Sequence, residues 1–161
     1  MCLKNKFKVL IVFGLWCFLG ACAARLIPGT LVVDTPMNRS VVNVVMAYKN
    51  ALEAKDQQAI LSLCSMRYFE DKGNADPNDD YGYSTLKDVE LPKFFANIKE
   101  VQLELEIKEV TVKQDRATAD FRFFYKMNMA LASGEKWGAD AEINRIELAL
   151  EEGVWKIISG L

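Results

Sequence analysis

The feature that most constrains the fold is a change in hydrophobic periodicity at Val101. Before this residue, apolar side chains recur at the three- and four-residue spacing of helices, and after it they alternate with polar ones. Alternation over residues 101–108 indicates a strand with one face on a core and the other in water. Helices followed by long antiparallel strands predict an α+β fold. We expect a strongly bent sheet with the helices packed across its concave face.

Three helices are predicted in the first hundred residues. The first covers about 38–55, where valines and Tyr48 form one apolar face. Asp56 is placed to cap the second helix, which we expect to continue towards Tyr68. A loop over 71–85, rich in Gly, Pro, Asn and Asp, precedes a short third helix at about 91–99.

The strands are predicted from alternating apolar residues. The first begins at 101, the second covers 117–131, the third begins at Trp137, and the last covers 154–161. The apolar phase of the third strand changes near Asn144 and Arg145, so we expect a β-bulge there.

The N-terminus has the parts of an export signal. Three lysines precede an uncharged apolar run, 9–19, which is too short to span a bilayer. The sequence Leu19-Gly20-Ala21-Cys22 resembles the lipobox of bacterial lipoproteins. This resemblance implies cleavage before Cys22, a diacylglycerol on its sulfur and usually acylation of its new α-amine, with palmitate as the expected label. An ordinary secretory signal with a chance cysteine is the alternative.

The lipobox resemblance implies a division of the chain into three segments and a location in the cell. Residues 1–21 would be the signal peptide, 22–37 a lipidated tether and 38–161 the folded domain. The membrane would be a partner through the acyl chains, outside the cytoplasm. Ala23 after the anchoring cysteine fits the outer membrane, facing the periplasm, if the source has two membranes.

Composition excludes several classes of function. The chain has no histidine, which excludes Ser-His-Asp and Cys-His catalysis and every His-ligated metal site. Without residues 1–21 it has 17 basic and 22 acidic side chains and no basic cluster, so nucleic acid is not expected as a partner. Cys64 would be the one thiol left, and we expect it to be buried as a small apolar group. No cofactor is expected.

Two helices, an acidic loop, a short helix and a terminal meander resemble the nuclear transport factor 2-like superfamily, also called SnoaL-like or cystatin-like cone folds. The resemblance is carried by Tyr48-Lys-Asn-Ala-Leu-Glu-Ala-Lys-Asp56 and by the closing Gly153-Val-Trp155-Lys-Ile-Ile-Ser-Gly160. It covers about residues 38–161. Members include isomerases, hydrolases, cyclases, dimerisation modules and transport adaptors, so the resemblance implies a cone-shaped domain and leaves the activity open.

The enzymatic hypothesis implied by this resemblance is proton transfer of the ketosteroid isomerase kind. Tyr48 matches the tyrosine that stabilises an oxyanion, and the carboxylate base would fall near Asp71. The partner acid would fall near Asn144 or Arg145, where this chain has no acid. A core tyrosine with its hydroxyl at a pocket rim is the alternative for Tyr48.

The leading hypothesis is non-catalytic binding of a small apolar ligand or a protein partner. An aromatic strip with two methionines and one arginine would line the ligand site. Its predicted members are Tyr48, Phe121, Phe123, Tyr125, Met127, Met129, Trp137 and Arg145. The same side chains would equally fill the core or cover the face of a homodimer, and a dimerising module of an envelope complex is therefore a further alternative.

Two other parts of the sequence are rich in polar and charged side chains. Asp76, Asn78 and Asp80 alternate as in calcium loops, but Lys87 stands where such loops place a bidentate glutamate, so a solvated acidic loop is preferred to a metal site.

The other face of the long strands is predicted to be a mixed-charge surface. Its predicted members are Arg122, Lys126, Asn128, Asp140 and Glu142.

Overall fold

The structure, a computed structural model, describes residues 24–74 and 76–161. The predicted signal peptide and the lipobox-like sequence with Cys22 lie outside the described residues. The helical elements are α1 (Pro36–Glu53), α2 (Gln57–Leu63), α3 (Tyr83–Thr85), a π-helical segment (Leu86–Glu90) and α4 (Leu91–Phe95). The strands are β1 (Phe69–Glu70), β2 (Tyr81–Gly82), β3 (Ile98–Lys113), β4 (Arg116–Leu131), β5 (Gly134–Glu151) and β6 (Val154–Ser159).

The α+β prediction is confirmed. Strands β3, β4, β5 and β6 form one antiparallel sheet in that order, and β1 pairs with β2 separately. The core lies between α1, α2 and the inner face of the large sheet. Its most completely buried apolar side chains are Val41, Val45, Ile60, Leu86, Ile107, Phe121, Ile146, Leu148 and Ile157.

Helix α1 begins where local chemistry favours it. The Thr35 hydroxyl accepts a hydrogen bond from the Asn38 N–H at 3.1 Å, and Pro36 occupies the first turn, where its missing N–H costs nothing. Val41, Val45 and Ala51 then face the core, as the apolar spacing predicted.

Helix α2 is shorter than expected. It is capped by Asp56 as predicted, but it ends at Leu63, so the extension towards Tyr68 is wrong. Cys64 instead pairs with Ile157 of β6, and the Ser65 N–H donates to the Ile157 carbonyl at 2.8 Å. The sheet edge therefore satisfies backbone groups that a further helical turn would have used.

Cys64 is buried, as predicted. It is 6 % exposed, and its thiol lies 3.3 Å from the Ile60 carbonyl. Burial raises the pKa of the thiol to about 12, with a smaller opposing effect from the charge of Lys156.

Helical structure around the third helix begins earlier and ends earlier than expected. The loop predicted over 71–85 ends at β2, and helical backbone starts at Tyr83. The helix predicted to reach Lys99 ends at Phe95, and β3 already begins at Ile98, where the chain joins the sheet. Val101 and Ile107 are buried as the alternation of this strand predicted.

The β-bulge predicted near Asn144 and Arg145 is wrong. Pairing of β5 with β4 is continuous through Phe121↔Asn144 and Asp120↔Arg145, and the register shift in β5 lies in its pairing with β6, at Glu147/Leu148. The apolar phase changes because β5 presents apolar side chains outward in its first half and inward in its second half. No inserted residue is needed.

Residues 25–34, which we call the N-terminal hairpin, pack on the domain. The tether predicted over 22–37 is therefore wrong for the residues of that range that the structure describes. Leu26 pairs with Val33, and the Leu31 N–H donates to the Ile107 carbonyl of β3 at 3.0 Å. Ile27 and Val32 are 7 % and 2 % exposed and belong to the core. None of the helices in the described part of the chain is long and apolar enough to cross a membrane.

Glu53 joins α1 to β3, and its charge makes stability depend on pH. Its carboxylate accepts the Leu103 N–H at 2.8 Å and the Lys49 ammonium at 2.7 Å. Burial raises the pKa of Glu53, but the bonds from Lys49 and Leu103 outweigh it and hold the pKa below its usual value. A carboxyl with a lowered pKa stabilises the fold above its unfolded pKa, and this contribution is lost as pH falls through the folded pKa.

We therefore expect Glu53→Gln to lower the melting temperature at neutral pH. Glutamine keeps an acceptor for the Leu103 N–H and removes the charge that Lys49 binds. The difference from the parent chain should shrink as pH falls below about 4.3, the usual glutamate pKa. Thermal unfolding across this pH range measures it, and a difference that stays constant with pH would contradict the assignment.

Candidate functional site

A cavity of about 460 Å³ lies between α1, the helical residues 86–94 and the concave face of β3, β4 and β5. This size falls within the range of small-molecule sites. Its walls are mostly apolar, from Leu52, Leu91, Phe94, Leu103, Phe123 and Met127. The polar side chains that reach it are Tyr48, Lys72, Tyr81, Glu90, Tyr125, Glu142 and Asn144.

Tyr48 projects from α1 into this cavity, as the prediction of a ligand-lining tyrosine requires. Burial raises the pKa of its phenol, with smaller effects from Cys64 and Tyr81. The hydroxyl is thus neutral and able to donate. No hydrogen bond from another group within residues 24–74 and 76–161 contributes to this pKa, so the hydroxyl is available to a molecule in the cavity that Tyr48 lines.

Tyr125 and Glu142 form a polar pair on the sheet side of the cavity. The Tyr125 hydroxyl donates to a Glu142 carboxylate oxygen at 3.2 Å. Desolvation and the charge of Glu142 both raise the pKa of Tyr125.

The prediction that Asp140 and Glu142 lie on the opposite face of the sheet is wrong. Asp140 pairs with Tyr125 and Glu142 pairs with Phe123, and directly opposed residues share a face.

Asn144 stands on the cavity face where the resemblance places a partner acid. Its amide N–H donates to the Gly160 carbonyl at 3.1 Å, and its amide oxygen accepts the Arg145 N–H at 2.8 Å. Both ends of the amide are therefore bonded to the backbone, and the side chain ties β5 to the end of the sequence.

Arg145 and Trp137 do not line this cavity, so their prediction as ligand-lining residues is wrong. Both lie on the outer face of the sheet, because an odd-numbered residue of β5 points away from the helices. Arg145 makes two hydrogen bonds to the Asp120 carboxylate, at 2.6 and 3.0 Å. Trp137 is 44 % exposed and carries the Lys126 ammonium 4.8 Å above its ring.

Phe121 and Phe123, neighbours on one face of β4, have different surroundings. Phe121 is 1 % exposed and belongs to the core, and Phe123 lines the cavity. A second cavity of about 480 Å³ shares Phe94, Tyr125 and Met127 with the first. Met129, also on the predicted strip, lines this second cavity.

Asp71 does not meet Tyr48 in the cavity. It lies in the exposed loop after β1, where its carboxylate accepts the Gly73 N–H at 2.9 Å, and it lines a separate cleft with Arg67 and Arg116. A proton-transfer pair of Tyr48 and Asp71 is thus not assembled.

The acidic loop is held by its own hydrogen bonds. Asp76 accepts bonds from both the backbone and the side chain of Asn78, at 3.0 and 2.6 Å. In the part of the chain that the structure describes, no group of three or more Asp, Glu, Cys or His side chains is placed to hold a metal ion. This applies to Asp80 as well as to the rest of the loop.

Sequence reasoning missed the residues that close the cavity from the loop side. Glu70 accepts hydrogen bonds from the Tyr68 hydroxyl at 3.1 Å and from the Gly160 N–H at 2.7 Å. The Tyr81 hydroxyl donates to the Leu161 carbonyl at 3.2 Å, and both residues line the cavity. The clustering of tyrosines and acids around a loop was the available signal.

Similar folds occur among solved structures. A conserved protein from Planctomyces limnophilus is 13% identical, with a TM-score of 0.64, over 77% of this chain and 92% of that one. A nuclear transport factor 2-like superfamily protein from Salmonella enterica serovar Typhimurium is 12% identical, with a TM-score of 0.64, over 76% and 86%. A ketosteroid isomerase-like protein from Erwinia carotovora atroseptica is 16% identical, with a TM-score of 0.63, over 79% and 95%.

This chain has the nuclear transport factor 2-like fold. The predicted cone is therefore confirmed, with the cavity at its concave side. No family model and no curated protein matches the sequence. Identities of this size establish the nuclear transport factor 2-like architecture alone, and function has to be argued from the site itself.

Proposed function

We propose that this chain is a membrane-anchored lipoprotein, outside the cytoplasm, whose cone binds a small apolar ligand without catalysis. The observation that carries the binding proposal is the cavity of about 460 Å³ with its mostly apolar wall. Apolar cavities with a few placed polar groups are the usual form of small-molecule sites. Tyr48 supplies a hydroxyl able to bond the ligand, and Glu142 and Lys72 supply charges at the wall.

Two observations support binding over proton transfer. Asp71 lies in a different cleft from Tyr48, so the expected base is missing from the cavity. Asn144 replaces the partner acid, and its amide is occupied by backbone groups. The enzymatic alternative would have to recruit Glu90 or Glu142 as its base.

The binding proposal is tested by filling the cavity. Residues 23–161 retain every described residue and should bind the neutral probe N-phenyl-1-naphthylamine, with a rise in its fluorescence. Leu103→Trp places an indole in the cavity, and we expect it to weaken probe binding about tenfold or more, or by about 1.4 kcal/mol. Gln102→Trp adds the same side chain on the exposed face of the same strand and should leave binding unchanged.

Two results would argue against this proposal. Equal binding by both tryptophan variants would place the probe elsewhere. Turnover of a ketosteroid-type substrate by residues 23–161, abolished by Tyr48→Phe, would establish catalysis and replace the non-catalytic assignment.

The anchoring proposal depends on Cys22. We expect radioactive palmitate to label the parent chain and to be absent from Cys22→Ser, because the thiol is the site of attachment. Cys64→Ser is the matched control, since the Cys64 thiol is buried, and it should label normally. Labelling that survives in Cys22→Ser would remove the anchor from this residue.

A dimerising module is the second candidate, favoured by the outer face of the sheet. Phe124, Trp137 and Ile143 are 41 %, 44 % and 76 % exposed there. Arg122 and Lys126 lie over the Phe124 and Trp137 rings, at 5.8 and 4.8 Å. Large aromatic and arginine side chains are enriched at protein interfaces. Sedimentation of residues 23–161 as a strict monomer would exclude this candidate.

A further inference from the structure

We propose that the N-terminal hairpin, residues 25–34, docks on the surface of the membrane that carries the anchor. Leu26, Leu31 and Val33 would enter the boundary between headgroups and acyl chains. This inference rests on the proposed acylation of Cys22, and it adds an orientation of the whole domain relative to the bilayer.

The hairpin separates its apolar side chains into two sets. Ile27 and Val32 turn inward and are almost fully buried. Leu26, Leu31 and Val33 are 44 %, 56 % and 44 % exposed. Leu26 and Val33 form the bridge pair and are therefore side by side on the outer surface of the hairpin. The domain buries one pair of side chains and leaves the other set to contact something else.

The hairpin is held rigidly to the domain. The Ile27 N–H donates to the Val32 carbonyl at 2.9 Å, and the Leu31 N–H donates to the Ile107 carbonyl of β3 at 3.0 Å. Asp34 receives a hydrogen bond from Arg39 of α1 at 2.6 Å. Any surface that meets the hairpin thereby fixes the orientation of the sheet.

The length of chain before the hairpin decides which surface that is. Three residue steps separate Cys22 from Arg25, and a fully extended chain spans at most about 3.6 Å for each, or about 11 Å. The headgroup region on one side of a bilayer is itself roughly 5–8 Å thick. With the Cys22 backbone at the inner edge of the headgroups, a fully extended chain would carry Arg25 only about 3–6 Å beyond their outer edge, so the bilayer is the surface nearest to the hairpin.

The charge of the hairpin suits the same surface. The Arg25 side chain is 82% exposed and lies 3.7 Å from Asp34, which already has Arg39 as its partner. Arg25 is therefore placed to meet anionic headgroups beside the three apolar side chains. Apolar residues flanked by a cation are typical of segments that lie in a membrane interface.

The proposal is tested with the acylated chain in vesicles that contain nitroxide-labelled lipid. Leu31→Cys carries an environment-sensitive fluorophore, and Leu131→Cys is the matched control, since Leu131 is also exposed, at 43 %. The hairpin bonds to Ile107, which pairs with Phe121 of β4. Leu131 lies ten residues further along β4 than Phe121, so it lies about 30 Å from the hairpin. Cys64 is buried and should not take the fluorophore.

We expect the nitroxide lipid to quench most of the fluorescence at position 31 and little of it at position 131. Flotation of the vesicles separates the two ways of failing. A chain that does not float lacks the anchor and overturns both proposals. A chain that floats with an unquenched label at 31 overturns the docking alone, and self-quenching between labelled copies would then assign this face to a second copy.

Discussion

Phe121→Ala lowers the free energy of unfolding by about 3–5 kcal/mol, the usual cost of removing a fully buried phenylalanine. Phe121 is 1 % exposed, and its strand position lies between Ile107 of β3 and Asn144 of β5. Helices cover this part of the sheet, so the neighbouring side chains have little freedom to fill the space that the ring leaves. Urea unfolding of residues 23–161 measures the loss.

Phe124→Ala is the matched control. It removes the same side chain three residues further along the same strand, on the outer face, where Phe124 is 41 % exposed. We expect a smaller loss, about 1–2 kcal/mol, because Phe124 is already partly in contact with water and its removal leaves no enclosed cavity. Losses of equal size at the two positions would contradict the assignment of the two sheet faces.

Gly160→Ala is expected to lower the free energy of unfolding by about 3 kcal/mol, since left-handed backbone costs about 1–2 kcal/mol and overpacking about 1–3 kcal/mol. Gly160 has a φ of +97°, and a Cβ at this position would lie 2.1 Å from the Arg145 carbonyl oxygen. Relief of this clash would move the last residues away from β5. The bonds of Gly160 to Glu70 and Asn144 would then break.

Gly153→Ala isolates the contribution of the clash. Gly153 also has a positive φ, +82°, but no atom lies within 4 Å of the position its Cβ would take. It should lose only the cost of left-handed backbone, about 1–2 kcal/mol. The Gly160 variant should also bind the naphthylamine probe more weakly, because Leu161 lines the cavity, and the Gly153 variant should not.

The parts of the fold that the sequence predicts are those in which the pattern is local. Alternation along β4 placed Phe121, Phe123 and Tyr125 on one face, and the structure keeps them there. Helical spacing and an N-terminal cap identified α1 and the start of α2. In each case, neighbours along the chain determine which side of the element is apolar.

The errors arise where burial depends on distant partners. In β5, the apolar residues move from odd-numbered to even-numbered positions. An inserted residue and an apolar outer surface produce the same pattern, so the sequence does not distinguish between them. Pro28 and Gly29 resemble a tether, but the turn they make folds Val32 back into the core. That contact depends on β3, some seventy residues later.

The same reasoning explains the candidate site. Tyr48, Phe123 and Tyr125 were predicted because they lie on regular elements with a readable apolar face. Lys72 and Glu90 were missed because a loop and a π-helical segment carry them, and their approach to the cavity depends on how those segments pack.

The burial of Cys64 has a consequence for handling and for oxidative stress. Thiolates, and not thiols, attack disulfides and react with peroxide, and a pKa of about 12 leaves almost no thiolate at neutral pH. The folded domain should thus neither form mixed disulfides with glutathione nor accumulate sulfenic acid at this position. Only unfolding would expose this sulfur to an oxidant.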